Sequence, residues 1–341
     1  MSETMFTSNA PTLEDQWRGI ILYGRNVASY KFALAKALLE LSPADGALIK
    51  MEELAAPFAR HVAEHLQLSD KQGTFATSKF LDACRRFNQD GNLDVLTQQA
   101  VRLGFKNVID AFHVVGNAAT PQAFFIDERV SNQGIRITSE FAELLSGAQA
   151  NNLATEVESR WRLVETAWSL NVSKSLLNIS YDSESQSLFS LDTLLRRKAV
   201  TGSRGALNGY QKGKCFYCFR DIHIDNPDTL PDVDHFFPHC LKQHGFSGLV
   251  DGIWNLVLAC RQCNRGIGGK SDKVPSLKLL ERLWRRNEYL VGSQHPLRET
   301  IIQQTGKQEA HRKALLNDWH TRAWAVLIHQ WEPEEVAEAA F

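Results

Sequence analysis

Four of the six cysteines in this 341-residue sequence occur as two C-x-x-C pairs, Cys215/Cys218 and Cys260/Cys263. A C-x-x-C turn brings two sulfur atoms within reach of one ion, and zinc prefers four thiolate or imidazole ligands in a tetrahedron. In a sequence that shows no export signal, such pairs are more typical of metal ligands than of disulfides. The sequence therefore predicts a zinc site with these four ligands, and a purely structural zinc is the simplest interpretation.

The residues between and just after the cysteine pairs carry other chemistry. Asp234 and His235 are adjacent at the end of a predicted short strand closed by Pro238, Asn255 precedes the second pair, and Asn264 follows Cys263 directly. Carboxylate and amide oxygens suit magnesium or manganese, and an imidazole titrates near neutral pH and can act as a general base. Each residue also has a structural alternative, namely a turn for the aspartate and Asn255, a surface position for the histidine and a helix cap for Asn264.

Taken together, these motifs form the series C-x-x-C, D-H-x-x-P and N-L-x-x-x-C-x-x-C-N, over about residues 214–270. This series resembles the HNH nuclease family. The resemblance implies a ββα-metal fold in which Asp234 and Asn264 hold a catalytic Mg²⁺ or Mn²⁺ and His235 is the general base. It also implies that Asn255 ties the intervening loop so that the histidine is correctly aimed, while the four cysteines hold a structural Zn²⁺.

One position departs from the family's usual pattern. Many members have a lysine three residues after the final asparagine, where this chain has Ile267, and Lys270 could supply that phosphate contact from a longer turn. Basic residues are concentrated on both sides of the cysteine region, which can attract phosphates even when net charge is near zero. The alternative is that they lie on solvated helix faces. The candidate nucleic-acid contacts are Lys270, Arg265, Lys214 and Arg220.

The composition is that of a globular chain, with 43% hydrophobic residues, 23% charged residues and a formal net charge of −1. No apolar run has the length of a membrane span, and the N-terminal residues lack the pattern of a signal peptide. We therefore expect a cytoplasmic protein with no membrane partner.

Hydrophobic periodicity predicts a mainly α fold with a small α+β unit. Helices are expected at 13–41, 51–66, 77–87, 93–103, 108–112, 139–145 and 154–170. A β-hairpin is expected from 123–126 and 134–138, and C-terminal helices at 277–287, 297–305 and 308–331. The domains predicted from this pattern are a helical domain at 1–190 that contains the hairpin, a linker at 191–213, a zinc-bound ββα-metal nuclease domain at 214–275 and a helical extension at 276–341.

The function expected from the resemblance is metal-dependent hydrolysis of DNA, most simply double-stranded, in restriction or defence against phage. For the N-terminal helices the sequence leaves three roles open, namely regulation, DNA binding and a homodimer that pairs two sites. Two alternatives remain open from the sequence. One is a zinc module without catalysis that binds nucleic acid or a protein partner, and the other is an HNH nuclease that acts on RNA or on branched or nicked DNA.

Overall fold

The computed structural model describes residues 12–23, 28–73, 78–115, 118–169, 179–182, 185–191, 197–224, 230–246, 248–292 and 297–341. The described residues divide into two compact units, one within Pro11–Asn171 and the other within Val172–Phe341. This boundary precedes the expected one between residues 190 and 191. The difference arises because the polar, serine-rich segment 180–190 contains strand residues, of which Tyr181 and Leu188 are buried, and Ile179 directly before it is buried too.

The N-terminal unit is mainly helical. Its helices are α1 (Leu13–Tyr23), α2 (Tyr30–Leu41), α3 (Met51–Leu68), α4 (Lys79–Asp90), α5 (Leu93–Gln99), α6 (Val108–Ala111), α7 (Arg129–Asn132), α8 (Ser139–Ser146) and α9 (Ala150–Ser169), with a π-helical turn at Ala100–Gly104. Its strands are β1 (Leu48–Lys50), β2 (Val114–Val115), β3 (Ala118–Ala119), β4 (Phe125–Glu128) and β5 (Gly134–Ile137). The helices expected in this unit are confirmed, except that 13–41 is two helices rather than one. Residue 77 and residue 170, at predicted helix ends, lie outside the described residues.

Aromatic side chains dominate the core of this unit. Trp17 on α1 is 1% exposed and lies 5.4 to 5.8 Å, between ring centroids, from Phe112, Phe124 and Phe141. The predicted hairpin is confirmed as β4 and β5, which pair antiparallel, and β1 adds to β5 on the other side. Gly134 is required where β5 meets β1, because a Cβ atom there would lie 2.3 Å from the Ile49 carbonyl oxygen.

His113 in this unit predicts a pH-dependent stability. Its Nε2 accepts a hydrogen bond of 2.9 Å from the Phe124 amide, and burial, with the nearby Lys31, lowers the pKa of His113 from 6.5 to about 4. As the pH falls, His113 is therefore protonated in the unfolded chain before it is protonated in the folded chain. Its contribution to the free energy of unfolding is present above pH 6.5 and is lost progressively towards pH 4. We expect the urea midpoint of His113→Gln to change less between neutral and mildly acidic pH than that of the wild type; equal changes would contradict this.

The C-terminal unit holds all the predicted site residues. Its helices are α10 (Ser203–Gln211), α11 (Arg261–Arg265), α12 (Leu277–Gly292), α13 (Arg298–Thr305) and α14 (Glu309–Leu327), with 3₁₀ turns at His239–His244, Gly248–Asp251 and Ile253–Asn255. Its strands are β6 (Ser180–Asp182), β7 (Ser187–Leu191), β8 (Arg197–Gly202), β9 (Asp232–His235), β10 (Leu256–Ala259), β11 (Val274–Pro275) and β12 (Gln330–Trp331). Within the expected linker at 191–213, the described residues 197–211 form β8 and α10, and residues 192–196 lie outside the described residues, so the cysteine region follows a folded element.

Three small sheets organise this unit. Strands β6, β7 and β8 form an antiparallel sheet in that order, β9 and β10 form an antiparallel hairpin, and β11 pairs in parallel with β12. The three expected C-terminal helices are confirmed, although the last ends at Leu327, before the short strand β12. In the part of the chain that the structure describes, no helix combines the length and apolarity of a membrane span.

Buried polar side chains attach the β9–β10 hairpin to the surrounding helices. On α10, the Gln211 side-chain amide donates to the Leu258 carbonyl at 2.8 Å and accepts from the Leu258 amide at 2.7 Å. On α12, Arg286 donates to the Trp254 and Leu256 carbonyl oxygens at 3.1 and 2.9 Å. Because side chains of α10 and α12 satisfy backbone groups of β10 and of Trp254 just before it, the hairpin is fixed to both helices.

Candidate functional site

The four predicted zinc ligands come together in the C-terminal unit. The Sγ atoms of Cys215, Cys218, Cys260 and Cys263 all lie within 4.8 Å of one another, and those of Cys218 and Cys260 are 3.8 Å apart. A tetrahedron with zinc–sulfur bonds of about 2.3 Å has sulfur–sulfur edges of about 3.8 Å. The cluster can therefore hold a metal ion, and its donor set fits a structural zinc.

Backbone amides support the thiolate form of this cluster. The Cys260 amide donates to Cys215 Sγ at 3.3 Å, and the Cys263 amide donates to Cys260 Sγ at 3.5 Å. The hydrogen bond with the Cys215 thiol lowers the pKa of Cys218 to about 7, and hydrogen bonds with the other sulfurs lower the pKa of Cys260, whereas burial raises the pKa of Cys215 and hydrogen bonds with the other sulfurs raise that of Cys263. Hydrogen bonds to the charged form favour that form, and the thiolate is the form that binds metal.

The C-terminal segment covers the first cysteine pair. The Ala337 amide donates to the Cys218 carbonyl at 2.8 Å, and the Trp331 indole donates to the Gly268 carbonyl at 2.7 Å. The Phe341 ring lies 4.8 Å from that of Phe219, which follows the pair. Sequence motifs gave no sign of this cover, because it depends on contacts between distant segments.

The strand β9 carries two of the other candidate residues, Asp234 and His235. It pairs antiparallel with β10, so that Asp234 lies opposite Val257 and His235 opposite Leu256. Successive side chains on a strand point to opposite faces. Asp234 therefore shares a face with Asp232, and His235 lies on the other face.

Asp234 is buried and already has two partners. The Tyr217 hydroxyl donates to its Oδ2 at 2.6 Å, and the Lys270 ammonium lies 3.2 Å from its Oδ1. Burial raises the pKa of the Asp234 carboxyl above its ordinary value, although Lys270 and Tyr217 both favour the ionised form. The sequence did not identify Tyr217 as part of this environment.

Lys270 occupies a different position from the one expected. Its side chain is only 1% exposed, and its ammonium also donates to the carbonyl oxygens of His235 at 3.0 Å and Ser271 at 3.2 Å. The expectation that it contacts a phosphate is therefore corrected. The glycines that follow Arg265 lengthen the turn, and the lysine reaches inward to Asp234 rather than outward to solvent.

Asn264 meets Asp232 rather than Asp234. Its side-chain amide donates to Asp232 Oδ2 at 3.0 Å, and Arg265, largely exposed, forms an ion pair with the same carboxylate. The amide nitrogen of Asn264 is thus engaged by Asp232, whereas Asp234 is engaged by Lys270. The sequence signal that could have indicated Asp232 is its position two residues before Asp234, since alternate residues of a strand lie on the same face.

His235 has a carboxylate partner that sequence analysis did not find. Its Nε2 lies 3.2 Å from Oδ1 of Asp251, which ends the 3₁₀ turn Gly248–Asp251. Lys242 also forms an ion pair with Asp251. Although burial opposes ionisation, hydrogen bonds from His235 and Lys242 lower the pKa of Asp251 to about 2, so it is charged at neutral pH.

Asn255 is fully buried and joins both ends of the loop between the two strands. Its Nδ2 donates to the Phe237 carbonyl at 3.0 Å and to the Val250 carbonyl at 2.8 Å, and its Oδ1 accepts from the Phe237 amide at 2.8 Å. These bonds hold the residues just after His235 beside the turn that carries Asp251. A role only as a turn residue, the structural alternative for Asn255, does not account for three hydrogen bonds across the loop.

The remaining predicted contacts are basic residues near the surface. Lys214 forms an ion pair with Asp221 at 2.8 Å, and Arg220 forms one with Glu335 of the C-terminal segment. Both basic side chains are partly or largely exposed, so these pairs can be broken at little cost.

Neither a family model, nor a curated protein, nor a solved structure matches the chain.

Proposed function

We propose that the C-terminal unit is a metal-dependent nuclease site of the HNH type that hydrolyses phosphodiester bonds in DNA. The elements from β9 through β10 to α11 follow one another as strand, strand and helix. The four cysteines join the start of α11 to the turn at residues 215–218. In this proposal the zinc is structural and holds the helix against the hairpin.

The observation that best supports the proposal is the hydrogen bonding of Asn255. The family resemblance assigns to this position a loop tie that aims the histidine, and its side chain bonds to residues on both sides of the loop. A buried asparagine whose side chain makes three hydrogen bonds rigidifies the loop that it joins. In the proposed reaction, His235 accepts the proton of the attacking water.

On a regular strand the oxygen ligands of the hard cation would lie on the face of β9 opposite His235, so the proposal requires the bend at residues 236–237, directly after His235, to bring both groups to one phosphate. Asn264 and Asp234 are the ligands that the resemblance implies, and Asp232, already in contact with Asn264, is a further carboxylate on the same face. A divalent cation bound there would supply charge stabilisation for the phosphoryl oxygens. The fit is better at Asp232, because Asp234 is engaged by the buried Lys270.

The direct test is cleavage of supercoiled plasmid with added magnesium. We expect nicked or linear products in the presence of Mg²⁺ and none when it is omitted. His235→Ala should lower the rate by about 10²- to 10⁴-fold, the contribution of a positioned general base. His311→Ala, which changes an exposed histidine on α14, is the matched control. Undiminished cutting by His235→Ala would remove His235 from the mechanism.

Cleavage assays on other nucleic acids separate the proposed activity on duplex DNA from the alternative activities. Linear duplex, single-stranded DNA, branched DNA and RNA are compared under the same conditions, and preference for RNA or for branched DNA would revise the substrate.

The engagement of Asp234 by Lys270 favours a second candidate, a zinc module that binds without cleavage. That candidate predicts retained binding but no cleavage of any of these substrates by the wild type.

A further inference from the structure

The side chains around His235 form an ordered set on the face of β9 away from Asp232 and Asp234. Asp251 lies at 3.2 Å from Nε2, and the Tyr181 ring contacts the imidazole edge to face with 5.8 Å between centroids. Among the described residues, no hydrogen bond reaches Nδ1 of His235. The imidazole side chain is 11% exposed, so it is both held and accessible.

The position of Asp251 is itself fixed by its neighbours. Lys242 forms an ion pair with its second oxygen, and His239 Nε2 lies 3.7 Å from its first. The preceding residue, Val250, accepts a hydrogen bond from Asn255 through its carbonyl. The buried asparagine therefore anchors the turn that presents the carboxylate, which gives Asn255 an effect on His235 through Asp251.

We propose that Asp251 is a positioning residue for His235, a role that rests on the proposed nuclease function. Its carboxylate accepts from Nε2–H and selects that tautomer, which leaves the Nδ1 lone pair to take the proton. As the water oxygen bonds to phosphorus, its proton moves to Nδ1 and the bond from phosphorus to the 3′ oxygen breaks. The 3′ oxygen takes a proton from solvent, and the carboxylate stabilises the imidazolium that forms.

Asp251→Asn tests the role, because the amide is close in size but carries no charge. We expect kcat for plasmid cleavage with Mg²⁺ to fall about 10- to 100-fold, part of the effect of a positioned base, with KM little changed. Zinc content and thermal unfolding should match the wild type. Asp318→Asn is the matched control, since Asp318 forms an exposed ion pair with Arg322 on α14.

A second measurement determines the tautomer of His235 and does not require catalysis. In protein labelled with ¹⁵N-histidine, the His235 signal, assigned by its loss in His235→Ala, should show a protonated Nε2 in the wild type. In Asp251→Asn it should move towards a mixture of tautomers. An unchanged signal, or wild-type kcat in Asp251→Asn while His235→Ala is inactive, overturns the positioning role alone. Failure of the wild type to cleave any substrate overturns the nuclease function and the role with it.

Discussion

Removal of zinc from the four-cysteine site is expected to unfold the segment from about residue 214 to residue 275. Structural zinc contributes about 10–16 kcal/mol of binding free energy in small zinc domains, and this energy is also folding energy. Here the four sulfurs join the first cysteine turn to β10 and α11, and the hairpin between them has only two short strands. A two-stranded hairpin is at best marginally stable alone.

The measurement is thermal unfolding with and without a zinc-selective chelator, with metal content determined in parallel. We expect one zinc per chain and a large loss of stability in the C-terminal unit when it is removed. Cys260→Ser should have the same effect, whereas Cys240→Ser, which changes a half-exposed thiol outside the cluster, should not. A chain that keeps its unfolding temperature after complete loss of the metal would contradict the structural role.

Asp234→Ala is expected to destabilise the C-terminal unit by about 3–5 kcal/mol, the usual cost of breaking a buried ion pair. The reason is that Lys270, 1% exposed, would keep a buried ammonium without its carboxylate. The Tyr217 hydroxyl, also buried, would lose its acceptor. The midpoint of urea unfolding measures this change.

Two further variants separate charge from volume. Asp234→Leu combined with Lys270→Met removes both charges, and replacing a buried pair by apolar residues is often neutral or stabilising. Asp232→Ala should cost less than Asp234→Ala, because its ion-pair partner Arg265 is largely exposed, although Asp232 itself is only 16% exposed and also accepts from Asn264. Should Asp234→Ala be as stable as the wild type and yet lose Mg²⁺-dependent cleavage, Asp234 would be a cation ligand rather than the partner of Lys270.

Local sequence was informative wherever a property depends on spacing along the chain. The two C-x-x-C pairs predicted a four-sulfur cluster because each turn presents two sulfurs by itself, and the structure brings the pairs together. Apolar periodicity likewise predicted most helices and the β4–β5 hairpin, since amphipathic patterns reflect local geometry. The sequence was less informative at 179–213, where polar composition concealed strands.

The partners of the charged residues could be decided only by the tertiary structure. Lys270 is buried against Asp234, Asn264 bonds to Asp232, and His235 contacts Asp251 on a separate turn. Such pairings depend on how the loop of 236–255 and the turn after α11 fold back on β9. The sequence alone thus determined which chemical groups are available, while folding determined which of them meet, because side-chain contacts across a loop follow from packing rather than from spacing.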